Sequence, residues 1–159
     1  MIYVGLGQDS HRFEPEDSIK PLILGGTHIP GYPGLQGNSD ADVILHAVTN
    51  AISGVTAMNI LGAVSDRMCL EEGLTDSSNY LREAMNHLGR RRPVHLSLSL
   101  ECARPKLAPH MTAIRTNLSR LLDLDPGHIG MTATTGEGLT SFGRGEGIFC
   151  TAVLTVSED

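Results

Sequence analysis

Strand-forming segments stand at both ends of this 159-residue chain, near residues 1–7 and 148–156, and helical periodicity fills the ground between them. That order suits an α+β fold, a small mixed sheet with helices packed on one face. A further strand is expected over 22–29, bent at Gly25-Gly26, before a glycine- and proline-rich loop through Gly37. Ser39-Asp40-Ala41-Asp42 then matches a capping box, and Val43, Ile44, Ala47, Val48, Ala51, Ile52 and Val55 recur at helical spacing. Asp42, His46 and Asn50, four apart, define a polar stripe on the opposite side of that helix. No regular element is expected from its end to Thr75.

A second helix follows Ser77-Ser78 and stops at Gly89. Over 94–102, Leu96, Leu98 and Leu100 alternate with Ser97, Ser99 and Glu101, the pattern of a half-buried strand with its serines toward solvent. A third helix runs from about His110 to Asp123, and Asp125-Pro126-Gly127 turns the chain into a strand over 129–134. No repeat, low-complexity stretch or linker divides the chain, so 1–159 reads as one domain.

Asp9 and His11 are two apart in a segment expected to be extended, so their side chains point the same way and can meet one ion. His46, in the first helix, is a third residue of suitable type. One carboxylate and two imidazoles suit zinc, and three protein ligands leave a fourth position open for chemistry. By itself the pattern is more often that of a turn-forming aspartate and a surface histidine.

Residues 132–147, Thr-Ala-Thr-Thr-Gly-Glu-Gly-Leu-Thr-Ser-Phe-Gly-Arg-Gly-Glu-Gly, gather hydroxyls, glycines and one guanidinium between two strands. Glycines open backbone N–H groups to an anion, threonines add donors, and Arg144 can grip a phosphate with two N–H groups. Glu137 offers oxygens of the kind magnesium takes beside substrate phosphates. A plain hairpin would use the same glycines, and there is no Walker signature.

Six short runs together carry a resemblance: Gly7–Phe13, Leu24-Gly25-Gly26, Ser39–Ala47, Arg104–His110, Ala133–Glu137 and Gly143–Gly147. In this order and spacing the chain resembles the 2-C-methyl-D-erythritol 2,4-cyclodiphosphate synthase family nearly end to end. The resemblance implies that Asp9, His11 and His46 hold zinc, and that Glu137 meets a second divalent ion, Mg2+ or Mn2+, between two phosphates. It assigns a nucleotide pocket to Cys102, Ala103, Arg104, Pro105, Lys106, Leu107, Ala108 and Ala133, with Thr134 and Thr135 at the phosphates. Lys106 reads equally as a solvated lysine, and His110 lies at the edge of this stretch. Thr135, Asn38 and Ser39 fall at catalytic positions, and Ser10, Gly62, Phe142 and Arg144 join Asp9, His11, Asn38 and Ser39 around the substrate. Arg144 and Glu146 also match a pair close to the family's threefold axis.

The implied enzyme is a phosphorus-oxygen lyase of the non-mevalonate isoprenoid pathway. It cyclises 4-diphosphocytidyl-2-C-methyl-D-erythritol 2-phosphate and releases CMP. Also implied are a homotrimer, active sites shared between subunits, and an axial cavity able to hold an isoprenoid diphosphate. The sequence departs from the family around the sugar phosphate. Asn38 stands for a histidine, Asn50 for an aspartate, Ile60 for an aspartate, Ser65–Cys69 for a Phe-Pro-Asp-Thr-Asp run, and Gly138 for a lysine. Two other readings are a paralogue acting on another CDP-polyol phosphate and a non-catalytic trimer binding isoprenoid diphosphates.

A formal charge of −6 without a basic stripe tells against nucleic acid. Arg90-Arg91-Arg92, between Gly89 and Pro93, reads as a solvated turn. An acidic protein needs local cations to draw in an anionic substrate. Three scattered cysteines suggest neither a disulfide framework nor a thiolate metal site. The absence of a long apolar run argues against a membrane span, and the acidic N-terminal segment does not resemble a presequence, so a cytoplasmic location is expected.

Overall fold

The computed structural model describes residues 1–159. The chain is α+β. Its main sheet has four strands: β1 (Ile2–Arg12), β4 (Arg92–Glu101), β5 (Ile129–Thr134) and β6 (Gly147–Ser157). They lie in the order β1-β6-β4-β5, antiparallel except for the parallel pair β4 and β5. A separate hairpin joins β2 (Pro21–Leu24) to β3 (Thr27–Pro33). The helices are α1 (Val43–Thr56), α2 (Ala63–Leu70), α3 (Ser78–Asn86) and α4 (Met111–Leu122).

Strand β1 runs further than the sequence pattern suggests, because β6 pairs with it as far as Arg12 opposite Gly147. Asp9 and His11 therefore lie inside a strand, in register with Cys150 and Ile148. The segment expected as one strand over 22–29 is a hairpin, folded at Gly25 and Gly26, which both have positive φ. Because β4 separates β5 from β6, the glycine-rich segment 135–146 is a crossing connection and not a hairpin.

Alternation along β1 sends Tyr3, Gly5, Gly7, Asp9 and His11 toward the helices and Ile2, Val4, Leu6, Gln8 and Ser10 away from them. Gly5 and Gly7 decide how close α1 comes. A Cβ at either position would overlap the carbonyl oxygen of Ala51 or Ala47, so helix backbone rests directly on strand backbone. The other face of the sheet is left bare of helices, with Ile2, Val4 and Leu6 each more than 60% exposed beside a partly exposed Val153.

Helix α1 begins three residues later than the capping-box reading places it. Asp42 is the cap, accepting from the Ile44 and Leu45 amides and also from Gly25 and Gly26. One carboxylate thus closes the helix end and ties it to the β2–β3 turn, and burial pushes that carboxyl up to about 6 against the pull of its N–H donors. Ser39 accepts only from the Ala41 amide. The stripe Asp42-His46-Asn50 is not a solvent face. Asp42 and His46 are buried under the β2–β3 turn and the start of α3, and only Asn50 remains partly exposed, donating to the Gln8 carbonyl.

Helix α2 falls where no element is expected. It buries only Ser65 and Cys69, so apolar periodicity does not announce it, and Ser65 closes its first turn by bonding to the backbone of Gly62. The three arginines are more engaged than a solvated turn implies. Arg91 lies over the Tyr3 ring and donates to the Val55 carbonyl, Arg90 pairs with Glu158, and Arg92 opens β4.

Candidate active site

Three donor atoms meet where the end of β1 passes beneath α1. His11 Nε2 is 2.8 Å from Asp9 Oδ2, His46 Nδ1 is 3.2 Å from the same oxygen, and the two nitrogens are 3.3 Å apart. Period-two geometry aligns Asp9 with His11, and the approach of α1 over Gly5 and Gly7 brings His46 down to them. Lone pairs converging at these separations repel unless a proton or a cation lies among them, so the group fits a divalent metal ion.

Burial alone would raise the Asp9 carboxyl, but hydrogen bonds and charge from His11 and His46 hold it below its ordinary value. For His11, burial acts to lower the imidazole, and the Asp9 carboxylate outweighs it to raise the value above the usual one. Protons and a metal thus compete for the same two residues.

Two cavities flank the group, and His11 lines both. One, of about 160 Å³, is walled by Gly37, Asn38, Ser39, His46, Ser65, Asp66, Cys69 and Tyr80. The other, of about 230 Å³, is walled by Ser10, Arg12, Ser141, Phe142, Glu146 and Gly147. Asn38 is exposed, and its carbonyl accepts from the Cys69 thiol, which ties the 37–39 loop to α2.

The glycine-rich segment sits at the same end of the sheet. There His11 at the end of β1 is in register with Ile148 near the start of β6, and Glu101 at the end of β4 with Phe149. Backbone bonds join this segment to residues 102–103: the Cys102 amide donates to Thr134, and the Ala103 amide to Phe142. Glu101 accepts from the Thr140 hydroxyl and lies under Gly136. Thr134 and Thr135 hydroxyls accept from the Gly136 and Glu137 amides, which leaves each O–H free to donate outward. The Arg104–Pro105 peptide is cis, and Lys106 and Ala108 are exposed beside buried Leu107. In β1, two strand spacings from β4, the Asp9 group lies about 10 Å across the sheet from the end of β4.

A family model described as the YgbB family matches residues 2–157. The chain belongs to the YgbB family. It is 47% identical over 156 residues, 98% of this chain and 89% of the relative, to the 2-C-methyl-D-erythritol 2,4-cyclodiphosphate synthase of Chlamydia caviae. Among solved structures it is similar to the bifunctional IspDF of Campylobacter jejuni, with a TM-score of 0.89 and 28% identity. All of this chain is covered there, and it spans 43% of that longer one. It is also similar to the Plasmodium falciparum IspF solved as a CDP complex, with a TM-score of 0.83, 25% identity, and 99% and 97% of the two chains covered.

Not every residue named from the sequence joins the metal group in this YgbB-family chain. Glu137 is exposed at positive φ on the tip of the glycine-rich turn and lies outside the Asp9-His11-His46 cluster. Arg144 is exposed and turned onto Glu146 and Ser141, and Glu146 also takes Arg12. Phe142 stacks on Phe149 at 5.5 Å, and Gly62 caps α2. Sequence reasoning missed Ser77, Tyr80 and the role of Asp40. Ser77 Oγ is 2.8 Å from His46 Nε2 and the Tyr80 ring lies 6.1 Å from that of His46, so both residues bear on the histidine whose Nδ1 meets Asp9 and His11. Ser77 did carry a signal, at a helix-cap position, but of another function.

Proposed function

We propose that this chain converts 4-diphosphocytidyl-2-C-methyl-D-erythritol 2-phosphate into 2-C-methyl-D-erythritol 2,4-cyclodiphosphate and CMP, a step of isoprenoid precursor biosynthesis. The observation that carries the reading is the convergence of Asp9, His11 and His46 in a chain 47% identical to a protein of that name. An oxygen of the 2-phosphate attacks the β-phosphorus and forms the new P–O–P link. The bond from that phosphorus to the bridging oxygen breaks, and the oxygen leaves with CMP. A phosphate monoester is mostly dianionic near neutral pH, so no strong base is required.

Zinc would suit the three donors, a carboxylate oxygen and two imidazole nitrogens lying 2.8 Å, 3.2 Å and 3.3 Å from one another. When bound, it supplies Lewis acidity and a template for the diphosphate. Asp9, His11 and His46 would hold it, and Glu137 would hold a second ion, Mg2+ or Mn2+, beside the phosphates. Thr134 and Thr135, their hydroxyl protons free, donate to phosphate oxygens. Residues 102–108 with Ala133 receive the cytidine, in keeping with the CDP complex of the Plasmodium falciparum relative. Asn38, Ser39 and Gly62 line the polyol side, Ser10, Phe142 and Arg144 the opposite wall, and Thr135 acts on the transferring group. Positioning and electrostatics then do most of the work.

Residues 1–159 work as one cyclodiphosphate-synthase-like unit, and the assembly is a homotrimer with sites between subunits. What supports this is the apolar sheet face around Ile2, Val4, Leu6 and Val153, which a second copy would cover. An axial isoprenoid diphosphate and a cytoplasmic location belong to the same reading; no helix is long and apolar enough to cross a membrane. Incubating the protein with substrate and divalent metal, and following CMP and cyclic diphosphate together, tests the activity. Equimolar appearance supports it, CMP alone means hydrolysis, and turnover of a different CDP-polyol phosphate instead means a paralogue.

A further inference from the structure

Ser77 occupies the N-cap of α3, yet its hydroxyl makes no capping bond to the helix. A serine at this position ordinarily gives its oxygen to an amide in the first turn. Here the oxygen is fully buried and turned the other way, 2.8 Å from His46 Nε2, while its proton goes to Asp40 Oδ1. Asp40 is itself held, accepting from the Asp42 amide at Oδ1 and from the Ser77 amide at Oδ2. Ser77 and Asp40 are thirty-seven residues apart.

Proton inventory fixes the direction of this chain of bonds. Every contact of the Asp40 side chain is with a donor, so the single Ser77 proton is committed to it. Ser77 Oγ can then only accept from His46, which requires the proton on Nε2. In the neutral ring the lone pair is then on Nδ1, the nitrogen facing Asp9 and His11, and any proton that nitrogen shares with Asp9 is the one a cation replaces. The Tyr80 ring, 6.1 Å from the imidazole and anchored by its hydroxyl on the Leu74 carbonyl, limits rotation of His46 from the third side.

We infer that Ser77 and Asp40 are positioning residues that set the tautomer and ring orientation of His46, so that Nδ1 is presented to a divalent cation. The inference rests on the metal reading proposed above. Hydrogen-bond partners behind a metal-bound histidine are generally worth ten- to a hundredfold in metal affinity. The loop at Thr75–Ser77 therefore contributes to the metal site without touching the ion, and the hydroxyl that would stabilise α3 is used elsewhere.

The test compares wild type, Ser77→Ala, Ser77→Thr and Asp40→Asn for zinc affinity by chelator competition, for the visible spectrum of the cobalt form, and for the His46 Nε2–H resonance of zinc-loaded, 15N-labelled protein. Melting of the metal-free proteins identifies any variant that fails to fold. Ser77→Ala is expected to bind zinc about ten- to a hundredfold more weakly with shifted cobalt bands, Ser77→Thr to return within about threefold of wild type, and Asp40→Asn to fall between. Wild type is expected to show a His46 Nε2–H protected from exchange. Unchanged affinity and spectrum in Ser77→Ala, or a Ser77→Thr variant as weak as alanine, would overturn the inference. Should Ser77→Ala not fold, an unprotected His46 Nε2–H in wild type overturns it alone. A wild type that binds no metal instead removes the metal reading itself.

Discussion

His11 Nε2 and His46 Nδ1 lie 3.3 Å apart, although thirty-five residues separate them in the chain. With Asp9 Oδ2 they form a group able to hold one divalent ion, contributed by the end of a strand and the first turns of the helix laid across it. Replacing His11 by alanine should lower metal affinity by more than about a hundredfold, beyond the usual effect of an outer partner. CMP release should fall at least as far. Because His11 is only half-buried, melting of the metal-free protein should change little. Chelator competition and calorimetric melting check the two halves.

Gly7 shows how packing sets that distance. Gly7→Ala must push α1 off β1, because the new methyl group has the Ala47 carbonyl in its place. Stability should drop by about 1–3 kcal/mol, as for other overpacked sites, and metal affinity should fall although no ligand has changed. Gly31→Ala, where the space beside the glycine is open, supplies a comparison that strains its positive φ but leaves the α1–β1 contact alone. Urea titration and zinc competition on the two variants separate the effects.

Metal affinity should depend on pH through His11. Its value is raised by Asp9, so without metal its contribution to stability is full below its unfolded value of 6.5 and fades as pH rises through the folded value. Asp9 is lowered, so its contribution is present above 3.8 and fades as pH falls through its own folded value. Metal must displace the His11 proton, so affinity should climb with pH to a plateau above 6.5. Titration calorimetry at pH 6.5 in buffers of different ionisation enthalpy should register proton release on zinc binding.

Asp42 accepts four backbone N–H groups from two elements. Asp42→Ala should cost on the order of 3 kcal/mol, through the lost cap and buried donors left unpaired. The thermal midpoint of a chain this long should drop by roughly 6–12 °C. A midpoint within 2 °C of wild type would mean that the cap contributes little.

Much of this was legible in the sequence, and the illegible part has a common cause. Asp9 and His11 could be paired because strand periodicity is local, and strands β5 and β6 fell within a residue of expectation for the same reason. The burial of His46 could not be read, since what covers it, Ser77 and Tyr80, arrives from thirty residues further along. Nor could Gly5 and Gly7 be recognised as the contact surface for α1, because a glycine in a strand carries no sign of what crosses it. Helix α2 hid behind Ser65, Asp66 and Arg67, which break the apolar rhythm that announces the others.

Cys102 offers a check on the core next to the segment proposed to receive cytidine. Burial, with Glu101 adding to it, pushes its thiol up to about 11, so little thiolate exists at neutral pH. Folded protein should react slowly with a thiol reagent at pH 7.5, and denatured protein should release all three thiols at once. Rapid labelling of Cys102 in folded protein, located by peptide mass, would mean that this segment opens readily.

X-ray absorption at the zinc edge, on protein loaded with one equivalent of metal, tests the central claim most directly. The predicted result is one ion bound by two imidazole nitrogens and a carboxylate oxygen at about 2.0–2.2 Å, plus one exchangeable light atom, with the imidazole scattering reduced by half in His46→Ala. A spectrum lacking imidazole scattering, or one unchanged by that substitution, would contradict it.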